Sequence, residues 1–119
     1  MIQQRPFIEV NTEHAKPVEK FMHEVLRPIL KQINEQLITV ALNKMNALNS
    51  GLENLSAPEK KALIEKLVGQ HQKFKEEMKA LVIDQISKDE FIFYQKNKRD
   101  LNKRIFSMTL QRLLSQLVK

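Results

Sequence analysis

The chain has no cysteine, no tryptophan and only two glycines among its 119 residues. Without cysteine there is neither a disulfide framework nor a thiolate metal site, and an oxidising compartment is not required. With two glycines there is no glycine-rich loop of the kind that cradles nucleotide phosphates. No Glu-x-x-His pair occurs anywhere, so the di-metal signature of helical bundles is missing. Ser50, Ser56, Ser87, Ser107 and Ser115 fall at helix boundaries or on the last helix, and no histidine motif accompanies them. These absences predict a protein that is not an enzyme, with no cofactor, no metal and no small-molecule substrate. Long apolar runs are missing too. The longest aromatic-aliphatic run, Phe91-Ile92-Phe93-Tyr94, is far short of the ~20 residues needed to cross a bilayer. The start, Met1 to Pro6, lacks the charged lead and apolar core of a signal peptide. A cytoplasmic location is the expectation.

What is present is helical patterning. From Gln70 to Lys119 there is no glycine or proline, and apolar residues recur at steps of three and four. An apolar fraction of 42% and a charged fraction of 29% are those of a folded, soluble domain. The expected fold is all-α: an elongated antiparallel bundle of three long helices forming one domain over residues 14–119. Residues 1–13, with Pro6 and the alternating Phe7-Ile8-Glu9-Val10, read as a short extended N-terminal arm.

The first helix is expected to start near His14 to Lys16, with Pro17 in its first turn. Its apolar face reads Val18, Met22, Val25, Ile29, Ile33, Leu37 and Val40, widened by Phe21, Leu26, Leu30, Ala41 and Leu48. Pro28 removes the bond to the Glu24 carbonyl and predicts a kink or a split near Arg27. Asn49-Ser50-Gly51 marks the end, with Gly51 placed for a left-handed stop. The second helix opens on Ser56-Ala57-Pro58-Glu59, a capping box with proline just inside. Its stripe is Ile64, Leu67, His71, Phe74, Met78, Leu81 and Gln85, close to a heptad but too short for a long coiled coil. Ser87-Lys88-Asp89-Glu90 is a second capping box, flanked by Ile86 and Phe91 at staple positions. A turn at Ser87 is favoured over a continuous helix broken at Gln95 to Lys98. The last helix carries Leu101, Ile105, Phe106, Met108, Leu110, Leu113, Leu114 and Leu117. Helices of about thirty residues span ~45 Å, and their wide stripes favour a homodimer or a partner helix.

Charge is unevenly placed. Residues 1–87 hold 12 Lys/Arg against 11 Asp/Glu, whereas residues 88–119 hold 8 against 3, so +5 of the net +6 lies in the last stretch. Lys96, Lys98, Arg99, Lys103 and Arg104 surround the single acid Asp100. On one helix, Lys96, Arg99 and Lys103 would share a face. Such a cluster suits an acidic protein groove, an anionic membrane surface or, as the main alternative, the phosphates of a nucleic acid; a lysine-rich face is also often no more than solvated surface. Phe91, Phe93 and Tyr94 stand beside it, where stacking on bases is conceivable, but Phe91 reads better as a staple and the other two as core. Met22, Met45, Met78 and Met108 read as core filler. His71, on the apolar seam, reads as a packed ring with one nitrogen hydrogen-bonded; the sharper idea is a pH-sensitive contact across a dimer. His23, four residues after Glu19, reads as half of a surface ion pair.

The sequence therefore points to a non-enzymatic helical interaction protein, an adaptor, an assembly or secretion chaperone or a small regulator. Lys96 to Arg104 are its candidate partner or phosphate contacts.

Overall fold

The computed structural model describes residues 17–49 and 51–118. The extended arm and the helix start near His14 lie outside the described residues. Among those described, the chain is all-α: α1 (Pro17–Phe21), a π-helical turn (Met22–Leu26), α2 (Arg27–Gln32), α3 (Asn34–Leu48), a 3₁₀ turn (Leu52–Asn54), α4 (Ala57–Gln70), α5 (Gln72–Ile83), α6 (Lys88–Lys96) and α7 (Lys98–Leu117). Three long helices are thus corrected to seven shorter ones, and each interruption has a local cause.

At Pro28 the missing N–H is absorbed upstream. The Arg27 N–H reaches the Met22 carbonyl, a five-residue step, and the wide turn lets α2 start with proline inside its first turn. The chain then breaks at Ile33, whose ψ of 15° leaves the helical range. Gly51 is corrected as well: its φ is −104° and no described residue has positive φ. The stop is made instead by Asn49, whose Oδ1 accepts the Gly51 N–H at 3.0 Å.

His71 is also not a seam residue of a continuous helix. It caps α5, its Nδ1 accepting the Phe74 N–H at 3.1 Å. Hydrogen bonding through one ring nitrogen is as expected; the break it creates is not. Both serine capping boxes form. Ser56 Oγ accepts from Glu59 N–H at 3.3 Å, and Glu59 Oε1 accepts from Ser56 N–H at 2.9 Å. Ser87 and Glu90 repeat the pattern at 3.2 and 2.8 Å. The bond from the Ser56 backbone, then that from its hydroxyl, holds the Glu59 carboxyl below its ordinary pKa. A carboxyl so lowered favours the fold above its unfolded pKa, and the contribution fades as pH falls through the folded one. Phe91, by contrast, is 39% exposed, its ring lying 6.1 Å from that of Tyr94, so the expected staple is only partly covered. A further break at Asn97, whose Nδ2 donates to the Phe93 carbonyl at 3.0 Å, separates α6 from α7. Both candidate breaks are therefore real.

The buried face of the first segment runs Phe21, Val25, Ile29, Ile33, Leu37, Ala41, Met45, every fourth residue. At 3.6 residues per turn a four-residue step drifts by ~40°. The π turn and the break at Ile33 take up that drift, which is why Val18, Met22 and Val40 are only half-buried. On α7 the buried residues Leu101, Ile105, Thr109 and Leu113 also fall every fourth position. There the drift is accommodated because the neighbours change along the helix. Tyr94 of α6 bonds Asn102 at 2.6 Å, Arg104 meets Met22 of the π turn, Lys75 of α5 lies 5.0 Å from the Phe106 ring centre, and Asn34 of α3 meets Arg112 and Gln116. Thus α7 is the strut against which α3, α4, α5 and α6 pack. The whole measures 48 × 25 × 24 Å.

Candidate interaction surface

Helix ends place the predicted cations. Lys96 closes α6, while Lys98, Arg99, Lys103 and Arg104 occupy the first two turns of α7. The break at Asn97 removes Lys96 from the face shared by Arg99 and Lys103. Lys96, Lys98, Arg99 and Lys103 are exposed, and among the described residues none of them has an acidic partner. Arg104 is different. Its Nε bonds Asp100 at 3.3 Å, its Nη1 lies 3.5 Å from Met22 Sδ, and its side chain is 29% exposed. It pins α7 to the π turn more than it faces solvent.

The aromatic residues beside this run divide. Tyr94 is 2% exposed, donates to Asn102 Oδ1, and burial pushes its phenol above the ordinary tyrosine range. Phe93 stacks on Phe21 of α1 at 4.9 Å. Both belong to the core, as expected. Phe91 and Ile92, at 39% and 47% exposure, stay outside it, and Ile92 lies one turn before Lys96 on α6.

A second cationic surface joins residues far apart in the chain. Between α2 and α7 runs an open groove of about 550 Å³, lined by Arg27, Pro28, Leu30, Lys31, Met108, Gln111, Arg112 and Ser115. Arg27 and Lys31, four apart, share one edge of α2; Met108, Gln111, Arg112 and Ser115 share one edge of α7. No acid lines it. Glu35, four residues after Lys31, lies beyond the turn at Ile33 and forms no ion pair with it. Arg112 is held in place by α3: its Nη1 donates to Asn34 Oδ1 at 3.2 Å. That amide is itself locked by a reciprocal pair with Gln116, Nδ2 to Oε1 and Nε2 to Oδ1, both 2.8 Å. Sequence reasoning misses this groove. The spacing of Arg27 and Lys31 is visible in the chain, but nothing local ties them to Arg112.

Two other hollows differ in charge from this groove. One of about 470 Å³ near Leu42, Leu52 and Leu117 carries both Glu53 and Lys60. A smaller one is bordered by Glu77 and Asp84. Among the described residues no three His, Asp or Glu side chains gather as a metal would need, and no helix is long and apolar enough to cross a membrane. Set against family models, curated proteins and solved structures, the chain matches none.

Proposed function

We propose that this is a non-enzymatic helical interaction protein, working as a homodimer in the cytoplasm as an adaptor, an assembly or secretion chaperone or a small regulator. Its partner is an acidic protein. One observation carries this reading: at the α6–α7 junction the exposed cations Lys96, Lys98, Arg99 and Lys103 have no acidic partner among the described residues, and the exposed apolar Phe91 and Ile92 lie on the same short helix, α6, as Lys96. Charge beside apolar surface suits a protein partner, since each supplies what the other lacks in specificity or affinity. Binding to nucleic acid through Lys96 to Arg104 draws less support, because Phe93 and Tyr94 are engaged in the core, which leaves only Phe91 of the three aromatics for stacking, and its ring already lies 6.1 Å from that of Tyr94.

Light scattering with ultraviolet absorbance recorded in the same run tests the proposal. With no tryptophan and one tyrosine the protein absorbs feebly, so co-purifying nucleic acid is conspicuous. A clean dimer without excess nucleic-acid absorbance is the expected result. A heterogeneous mass with strong nucleic-acid absorbance, collapsing in high salt and lost in the variant K98A/R99A/K103A, overturns the reading in favour of phosphate binding.

A further inference from the structure

We infer that the groove between α2 and α7 docks an acidic amphipathic peptide segment of a protein partner, an inference that rests on the interaction-protein reading above and gives it a specific site. Arg27 and Lys31 stand ~6 Å apart along α2, with Arg112 across from them on α7 and no acid among the described lining residues. Three cations on two sides of a groove match several carboxylates spaced along a backbone; a lone carboxylate would leave most of them unmet. Arg112 is the anchor. Its guanidinium is held by Asn34, whose amide is fixed at both ends by Gln116, so little side-chain freedom is lost when a carboxylate arrives.

Apolar contact comes from the half-buried Met108 and from the methylene stems of Arg27, Lys31 and Arg112, over a floor of buried Pro28 and Leu30. A helix or turn of the partner with acids on one edge and leucine-like side chains on the other fits that lining. Among the described lining residues there is no aromatic ring to stack on bases, which favours peptide over nucleic acid.

The test uses a fluorescein-labelled synthetic peptide of glutamates and leucines, with leucines at steps of three and four, against the full chain. Polyglutamate of equal charge and a single-stranded DNA oligonucleotide are the comparisons. The amphipathic peptide is expected to bind more tightly than polyglutamate, and R27E/K31E to weaken it by roughly ten-fold or more. Both residues are exposed, so the variant folds, which circular dichroism checks. K98A/R99A/K103A is expected to weaken binding by no more than about three-fold, as distant screened charges do. In methyl-labelled protein the Met108 signal shifts on binding, while those of Met45 and Met78, buried at 2% and 1%, stay.

Equal binding by R27E/K31E and the unaltered chain overturns the inference, as does polyglutamate binding as tightly as the amphipathic peptide. If K98A/R99A/K103A abolishes binding and R27E/K31E does not, the acidic-partner reading survives at the α6–α7 junction and the groove loses its role. If only DNA binds, both readings are lost.

Discussion

The Lys96 to Arg104 run, with five cations, and the groove of Arg27, Lys31 and Arg112, with three, are built in opposite ways. The run is contiguous in sequence, exposed, and partly spent on its own structure, since Arg104 is tied to Asp100 and Met22. The groove is assembled from α2 and α7, braced from α3, and holds no acid among the described residues. Density of charge along the chain therefore measures poorly how much charge a surface can offer. What matters is whether the fold has already supplied partners and whether the cations are held where a ligand can meet them. Both surfaces hang on α7, so substitutions at or near that helix separate their supports.

The largest effect is expected at the brace. Asn34→Leu leaves Gln116 and Arg112 without their shared amide, and half-buried polar groups left unmet cost about 1–3 kcal/mol in urea unfolding. The double variant N34L/Q116L replaces both members of the pair and should recover most of that loss. A double-mutant cycle with a coupling near zero would show that the amides do not act as a pair. Asn34→Leu also frees Arg112, so peptide affinity at the groove should fall while the run at the α6–α7 junction is unaffected.

Next in size is a gain. Thr109 is 0% exposed and its hydroxyl has no partner, on the strut between Arg104 and Arg112. Valine keeps the shape and the branching while removing the unmet group, so Thr109→Val should stabilise by about 1–2 kcal/mol. A stabilised strut with unchanged binding at both surfaces would show that their difference lies in the surfaces. A loss of stability would mean that the hydroxyl has a partner after all.

Much of the fold was legible in the sequence, and what was not has physical reasons. The capping boxes at Ser56 and Ser87 are local, four-residue patterns, and both form as read. The break at Ile33 interrupts a buried face that steps by four and must be re-phased, and periodicity within one segment does not reveal that. The breaks at His71, two residues after Gly69, and at Asn97 are each held by that residue's own side chain, on the Phe74 N–H and on the Phe93 carbonyl. Gly51 misled for the opposite reason, since the Asn49 side chain performs the stop that a left-handed glycine would have made. Of the candidate surfaces, the run Lys96 to Arg104 was visible as a charge cluster. The groove was not, because Arg112 meets Arg27 and Lys31 only through tertiary packing.

At the α6–α7 junction Tyr94 plays the bracing part that Asn34 plays at the groove. Tyr94→Phe removes one hydrogen bond to Asn102 and should cost about 1 kcal/mol. The raised pKa supplies a second readout. A phenol that ionises above its ordinary value of about 10 favours the fold fully below that value, and the contribution disappears as pH rises through the folded pKa. Tyr94 is the only tyrosine, so its absorbance titration reports this group alone. The midpoint should lie higher in the folded chain than in denaturant; coincident midpoints would mean that the ring is not held in the core.

The smallest effect on stability, and the one that bears most directly on the contrast, is expected for Asp100→Ala. The pair with Arg104 lies one helical turn apart, with side chains 56% and 29% exposed, so its screened contribution is no more than about 0.5 kcal/mol. Asp100 also sits in the first turn of α7, where a negative charge opposes the helix dipole at a gain of similar size. The total loss should stay below about 1 kcal/mol. Its effect on binding should be larger in proportion, because the junction would then carry Lys96, Lys98, Arg99, Lys103 and Arg104 with no acid among them, as the groove carries its cations now. Polyglutamate should bind that variant more tightly at low salt, and the gain should vanish as salt rises. If polyglutamate binding does not change, Arg104 remains committed to Met22 and the π turn, and lack of an internal acid is not what distinguishes the two surfaces. The distinction would then rest on rigidity alone, on the fixed Arg112 at the groove against the free lysines of the junction.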